Sequence, residues 1–160
     1  DDDRFASDHS DNYPVNDLIA FADLVFFSRQ LVQERGYTDD TPHVFIKDIM
    51  KQYGNNRLHS LTVVVPWGST GAYGAKYDCT LELYDESHRL HTVDIAFSAS
   101  CPPKELVETI GAGDTFIGAY LNYALTHDIR KYANNGGLQK CLDYANRVAG
   151  YKVGHYGFEC

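Results

Sequence analysis

Apolar residues along this chain follow two rhythms. Two continuous apolar runs, "ADLVFFS" at 22–28 and "LTVVVPW" at 61–67, have the length and composition of strands buried on both faces. Between them the apolar positions recur at helical spacing. "RQLVQER" follows Ser28, a good helix cap, and stops at Gly36. A second helix is predicted from Thr41 and Pro42, which suit the cap and first-turn positions. It runs through Ile46, Ile49, Met50 and Tyr53 to a stop at Gly54.

Beyond the second run, "GSTGAYG" reads as a turn cluster. "YDCTLELY" and "HRLHTVDIAF" read as two strands joined by the polar turn "DESH". A helix from about Thr115 to Leu125 is apolar nearly all round, through Phe116, Ile117, Ala119, Tyr120, Leu121, Tyr123, Ala124 and Leu125. That composition predicts burial. A last helix begins near Leu138 and sets Leu138, Cys141, Leu142, Ala145 and Val148 on one face, and "VGHYGFEC" closes the chain. Buried strands alternating with helices imply an α/β fold, with a mostly parallel sheet flanked by helices. The strand pair near residues 77–97 would be an antiparallel addition at one edge.

The first 14 residues are acidic and polar and read as a flexible arm, leaving 15–160 as one domain. A net charge of −8 argues against a nucleic-acid surface. It leaves room for a nucleotide pocket, where backbone N–H groups hold phosphates. No apolar run reaches the length of a membrane span. Cys79, Cys101, Cys141 and Cys160 are scattered without a C-x-x-C pair and read as free thiols of an intracellular, cytoplasmic protein. No Cys and His spacing suits a metal, and His88 and His91 read as surface or structural residues. The chain opens on Asp1 and its one methionine is Met50, so a partial chain is expected.

Two glycine clusters each follow strand-like sequence: Gly68, Gly71 and Gly74, then Gly111 and Gly113. In open α/β sheets ligands bind beyond the carboxyl ends of strands. A helix N-terminus opening on glycines offers unpaired N–H groups to an anion, and Asp114 beside it is placed to accept a proton during phosphoryl transfer. An Asp at a helix start is also a common cap, and glycines serve turns. On spacing alone the cap is favoured; the rigid apolar helix behind Asp114 shifts the balance towards function.

"ETIGAGDTF" resembles the second signature of the ribokinase-like (pfkB-type) carbohydrate kinases, usually [DN]-T-x-G-A-G-D. "PWGSTGA" resembles that family's glycine turn, and "ADLVFFSRQLVQERGY" its upstream strand and helix. "CLDYANRVAGYKVGHYGF" is similar to the family's C-terminal helix and tail, nearest to the ketohexokinase (fructokinase) branch. The resemblance implies an ATP-dependent sugar kinase using Mg²⁺. Asp114 would be the general base, and Gly111, Ala112 and Gly113 the anion hole. Gly68, Gly71 and Asn146 would lie at the nucleotide, with Gly154 near a loop that in many relatives helps hold a monovalent cation such as K⁺. Glu108 stands where the family usually has Asp or Asn, which puts that cation in question. The likeness covers the C-terminal half of the family's length. A truncated, non-catalytic nucleotide-binding module is therefore the alternative, and an α/β domain whose glycines serve only turns is a third reading.

Overall fold

In a computed structural model, residues 18–54, 59–77, 95–127 and 136–157 are described. The acidic arm, "YDCTLELY" beyond Tyr77, most of "HRLHTVDIAF", His88, His91, Cys79 and Cys160 lie outside them. Strand β1 (Leu24–Phe26) leads into helix α1 (Arg29–Glu34) and helix α2 (Pro42–Tyr53). Strand β2 (Leu61–Pro66), a 3₁₀ turn at Gly68–Thr70, strand β3 (Gly71–Tyr77) and strand β4 (Ala96–Ala99) follow. Helices α3 (Ala112–Thr126) and α4 (Gly136–Lys152) complete the order.

The strands form one mixed sheet in the order β1-β2-β3-β4. β1 pairs parallel with β2, setting Val25 opposite Val63. β2 with β3 and β3 with β4 are antiparallel, and the register aligns Val64, Gly74 and Ala96. The long apolar runs have a direct cause: β1 and β2 are packed against on both faces, whereas β4 leaves Phe97 43% exposed. Val63, Val65, Trp67 and Ala75 join α1 and α2 residues in one core. Val64, Ala72 and Ala96 face the other way, against Phe116, Ala119 and Tyr120 of α3 and Leu138, Cys141, Leu142 and Ala145 of α4.

Local signals set the first helices. Ser28 Oγ accepts from the Leu31 N–H at 3.2 Å, capping α1, and Gly36 follows at φ 89°. Pro42 opens α2, as expected. The Thr41 hydroxyl instead turns back to accept from the Thr38 N–H at 2.8 Å.

Two expectations are corrected. "GSTGAYG" is a turn only at Gly68–Thr70; Gly71 and Gly74 lie inside β3. There the backbones come too close for side chains: a Cβ on Gly71 would run into the Ser98 carbonyl of β4. Helix α3 is not buried all round either. Phe116, Ala119 and Tyr120 face the core, while Leu121 is 38% and Leu125 81% exposed. Its apolar composition exceeds what packing against the sheet and α4 can cover. Among the described residues, no helix is long and apolar enough to cross a membrane.

Leu142 is fully buried where α4 meets α3 and the sheet. Leu142→Ala is expected to lower stability by about 2–5 kcal/mol, read as a reduced urea midpoint at unchanged slope. A loss below about 1 kcal/mol would mean that this core is loosely packed.

Candidate functional site

Two loops at the carboxyl ends of strands carry the residues of interest. The first leaves β2. The Trp67 N–H donates to the Gly71 carbonyl at 2.7 Å, closing the turn over Gly68 (φ 63°). Ser100, just past β4, holds it from beside: its N–H reaches the Thr70 carbonyl at 3.2 Å and its hydroxyl the Ser69 carbonyl at 2.5 Å. Buried Asn146 of α4 donates through Nδ2 to the Ser98 carbonyl at 2.9 Å. Gly71 and Asn146 therefore meet at the same carbonyl, and the Asn146 amide is engaged in holding β4 to α4.

Arg29 belongs to this corner, although no motif or pattern in the sequence marks it. It is the first residue of α1, directly after β1, and its guanidinium lies 5.5 Å from the Trp67 ring centre. Two bonds of 2.7 and 2.8 Å to Asp39 fix its direction. The available signal was a basic residue at the carboxyl end of a buried strand, where α/β sheets bind ligands.

The second loop runs from β4 to α3, and the tail of α4 determines its path. The Val153 carbonyl accepts from the N–H groups of Val107 and Glu108 at 2.8 and 3.1 Å. Lys152 is 1% exposed, and its Nζ donates to the Glu108 carbonyl at 3.3 Å and to Glu108 Oε2 at 3.2 Å. The Gly157 N–H reaches the same Oε2 at 2.9 Å. Gly154, on this tail, backs onto Pro103. The loop then turns: the Ala112 N–H donates to the Thr109 carbonyl at 3.1 Å, and Gly111 takes a left-handed φ of 76°. Side-chain-bearing residues rarely adopt that conformation.

Helix α3 opens immediately afterwards. No side chain caps it, and Asp114 lies exposed in its first turn. A Cβ on Gly113 would meet nothing within 4 Å, so the space over the turn is open. Of the three residues named for an anion hole, Ala112 spends its N–H inside the turn, whereas the Gly113 and Asp114 N–H groups have no acceptor within the helix. The 15-residue helix directs the positive end of its dipole to the same point.

Other chemistries are poorly served. Among the described residues no group of three His, Cys, Asp or Glu is placed to hold a metal ion. Burial pushes the Cys141 thiol up to about 11, so at neutral pH it remains an uncharged core group.

The Gly157 N–H, and then Lys152, hold the Glu108 carboxyl below its ordinary value of 4.5. Because the folded value lies below the unfolded one, this contribution is complete above about pH 4.5 and is lost as the pH falls through the folded value. Glu108→Gln should therefore be less stable than the parent at pH 7, with the gap closing in acid. Urea midpoints across that range test it; a gap unchanged from pH 7 to about pH 3 would contradict the ionic origin.

The fold has counterparts among solved structures. A search of curated proteins returned no match. Among solved structures, ribokinase from Giardia lamblia aligns with a TM-score of 0.67 at 15% identity, over 96% of this chain and 43% of its own. Adenosine kinase from Schistosoma mansoni, in complex with adenosine and AMP, aligns with a TM-score of 0.59 at 18% identity, over 91% of this chain and 38% of its own. A Burkholderia thailandensis nucleoside kinase in complex with inosine gives 0.55 at 14%, with coverages of 91% and 38%. These similarities establish the fold, and the chain spans about two fifths of the length of those enzymes. The family model for pfkB family carbohydrate kinases matches residues 12–159, taking in both glycine loops and the α4 tail. With nearly the whole sequence matched and the strand–turn–helix geometry in place, this chain belongs to the pfkB family of carbohydrate kinases.

Proposed function

We propose that this chain is the nucleotide-side part of an ATP-dependent kinase that phosphorylates a hydroxyl of a small sugar or of a nucleoside ribose. The observation that carries the reading is Asp114, exposed in the first turn of an uncapped helix whose approach is cleared by Gly111 and Gly113. In this reading the γ-phosphoryl group of MgATP lies over that turn. The Gly113 and Asp114 N–H groups and the helix dipole stabilise the charge that builds on it. The Asp114 carboxylate takes the proton of the attacking hydroxyl. Mg²⁺ enters as part of the nucleotide substrate.

The turn at Gly68–Thr70 and the Gly71–Asn146 junction would border the nucleotide. Asn146 would act there by fixing the end of β4 through Ser98. Arg29, paired with Asp39, would offer its remaining N–H groups at the neighbouring strand end. Likeness of the C-terminal segment to ketohexokinase favours fructose as acceptor. The solved adenosine and nucleoside kinases keep nucleosides as a competing class.

Glu108, standing where the family usually has Asp or Asn, favours a second reading, a nucleotide-binding module without turnover. ADP release from MgATP by the purified chain, with fructose, ribose and adenosine as acceptors, separates the two. Acceptor-dependent release supports the kinase, and nucleotide binding without release supports the module. In an active protein, Asp114→Asn should lower kcat by roughly 10²- to 10⁴-fold while leaving the affinity for MgATP nearly unchanged. A loss of less than about tenfold would remove Asp114 as the base.

A further inference from the structure

The family resemblance implies a monovalent cation near the Gly154 loop and the acid that opens the glycine motif. The residues here do not fit one. Among the described residues, the oxygens that meet there include the Glu108 carbonyl, the Glu108 carboxylate and the Val153 carbonyl. Lys152 Nζ already donates to the first two, at 3.3 and 3.2 Å. Gly157 N–H also holds the carboxylate, and Val153 accepts from two N–H groups. The ammonium that serves them is 1% exposed and is tethered to the last residue of α4. A second cation there would face this fixed charge at short range and compete with it for the same acceptors.

Glu108 is the matching half of the arrangement. It is one methylene longer than the Asp usual in the family. From its backbone position it spans to the Gly157 N–H and to Lys152 Nζ together.

We propose that Lys152 Nζ takes the place of the monovalent cation, a built-in positive charge that holds the turn leading into Gly111, so that this protein needs no K⁺ there. The proposal concerns the positioning of the turn and rests on the kinase reading for its catalytic meaning. Lys152 is a positioning residue, since it acts through Glu108 and the loop rather than by touching the phosphoryl group.

Thermal unfolding of the 160-residue chain, in KCl, NaCl and choline chloride at equal ionic strength, tests the proposal without relying on turnover. The parent should show one midpoint in all three salts, within about 1 °C, because screening is the same in each. In choline, Lys152→Met should unfold at a lower temperature. K⁺ should then raise its midpoint over that in choline by at least about 2 °C, since an ion binding only the folded state stabilises it. A K⁺-specific rise in the parent would overturn the proposal, and so would a folded Lys152→Met that responds alike to all three salts. If Lys152→Met fails to fold, the parent comparison decides alone. MgATP titration in the same salts keeps the two questions apart. A chain that binds no MgATP in any salt overturns the kinase reading, while the unfolding midpoints still decide the role of Lys152.

Discussion

The site depends on the partly buried contact between Lys152 and Glu108. An ammonium withdrawn from water is tolerated only where a charge partner and hydrogen-bond acceptors meet it. Glu108 supplies both, with its carboxylate and its own carbonyl. Glu108 is three residues before Gly111 and Lys152 is the last residue of α4, so the pair joins the end of one helix to the approach of another. The Val153 carbonyl and the Gly157 N–H reinforce the junction from the tail. Without it, the loop from β4 to α3 would have few reasons to present Gly111 in its left-handed conformation above an uncapped helix.

Packing converts that local restraint into a rigid platform. Alternate side chains of β1 and β2 enter two different cores, so neither strand can shift without disturbing both. β3 sits between them and β4, and its glycines allow the close approach that the register requires. Tyr120 of α3 meets Phe26 of β1 edge-on, with ring centres 5.2 Å apart. The helix that carries Asp114 is thus held by the sheet and by α4. Its outer stripe, including Leu121 and Leu125, remains in solvent. A stiff scaffold with an open helix mouth suits a site that must position a charged group.

Much of this was legible in the residues. The continuous runs at 22–28 and 61–67 identified doubly covered strands because burial on both faces removes the alternation that a half-exposed strand would show. Ser28, Gly36 and Pro42 located helix boundaries because capping depends on a few neighbouring atoms. "ETIGAGD" marked the loop ahead of α3 because left-handed backbone and close approach demand glycine whatever surrounds them.

Tertiary structure decided the rest, and it did so wherever the reason for a residue lay far along the chain. Gly71 looked like a turn residue; it ends the turn at φ 135° and also opens β3, where the Ser98 carbonyl beside it leaves no room for a side chain. Asn146 was expected beside the nucleotide; the structure adds that its amide donates to the Ser98 carbonyl of β4. The apolar face of α3 looked buried, but burial depends on which neighbours arrive, and α4 and the sheet cover only part of it. Lys152 carried no local signal. Its partner is 44 residues away in sequence, and a charge 1% exposed reads in a string of letters like any lysine on a surface helix. The sequence by itself determined the α/β class, the boundaries of the first two helices and the glycine motif, since these rest on short-range sterics and hydrogen bonding; α3 begins at Ala112, three residues before the apolar pattern does. Which side chains face each other across the fold, and so what holds the motif in place, follows from long-range packing that no local pattern encodes.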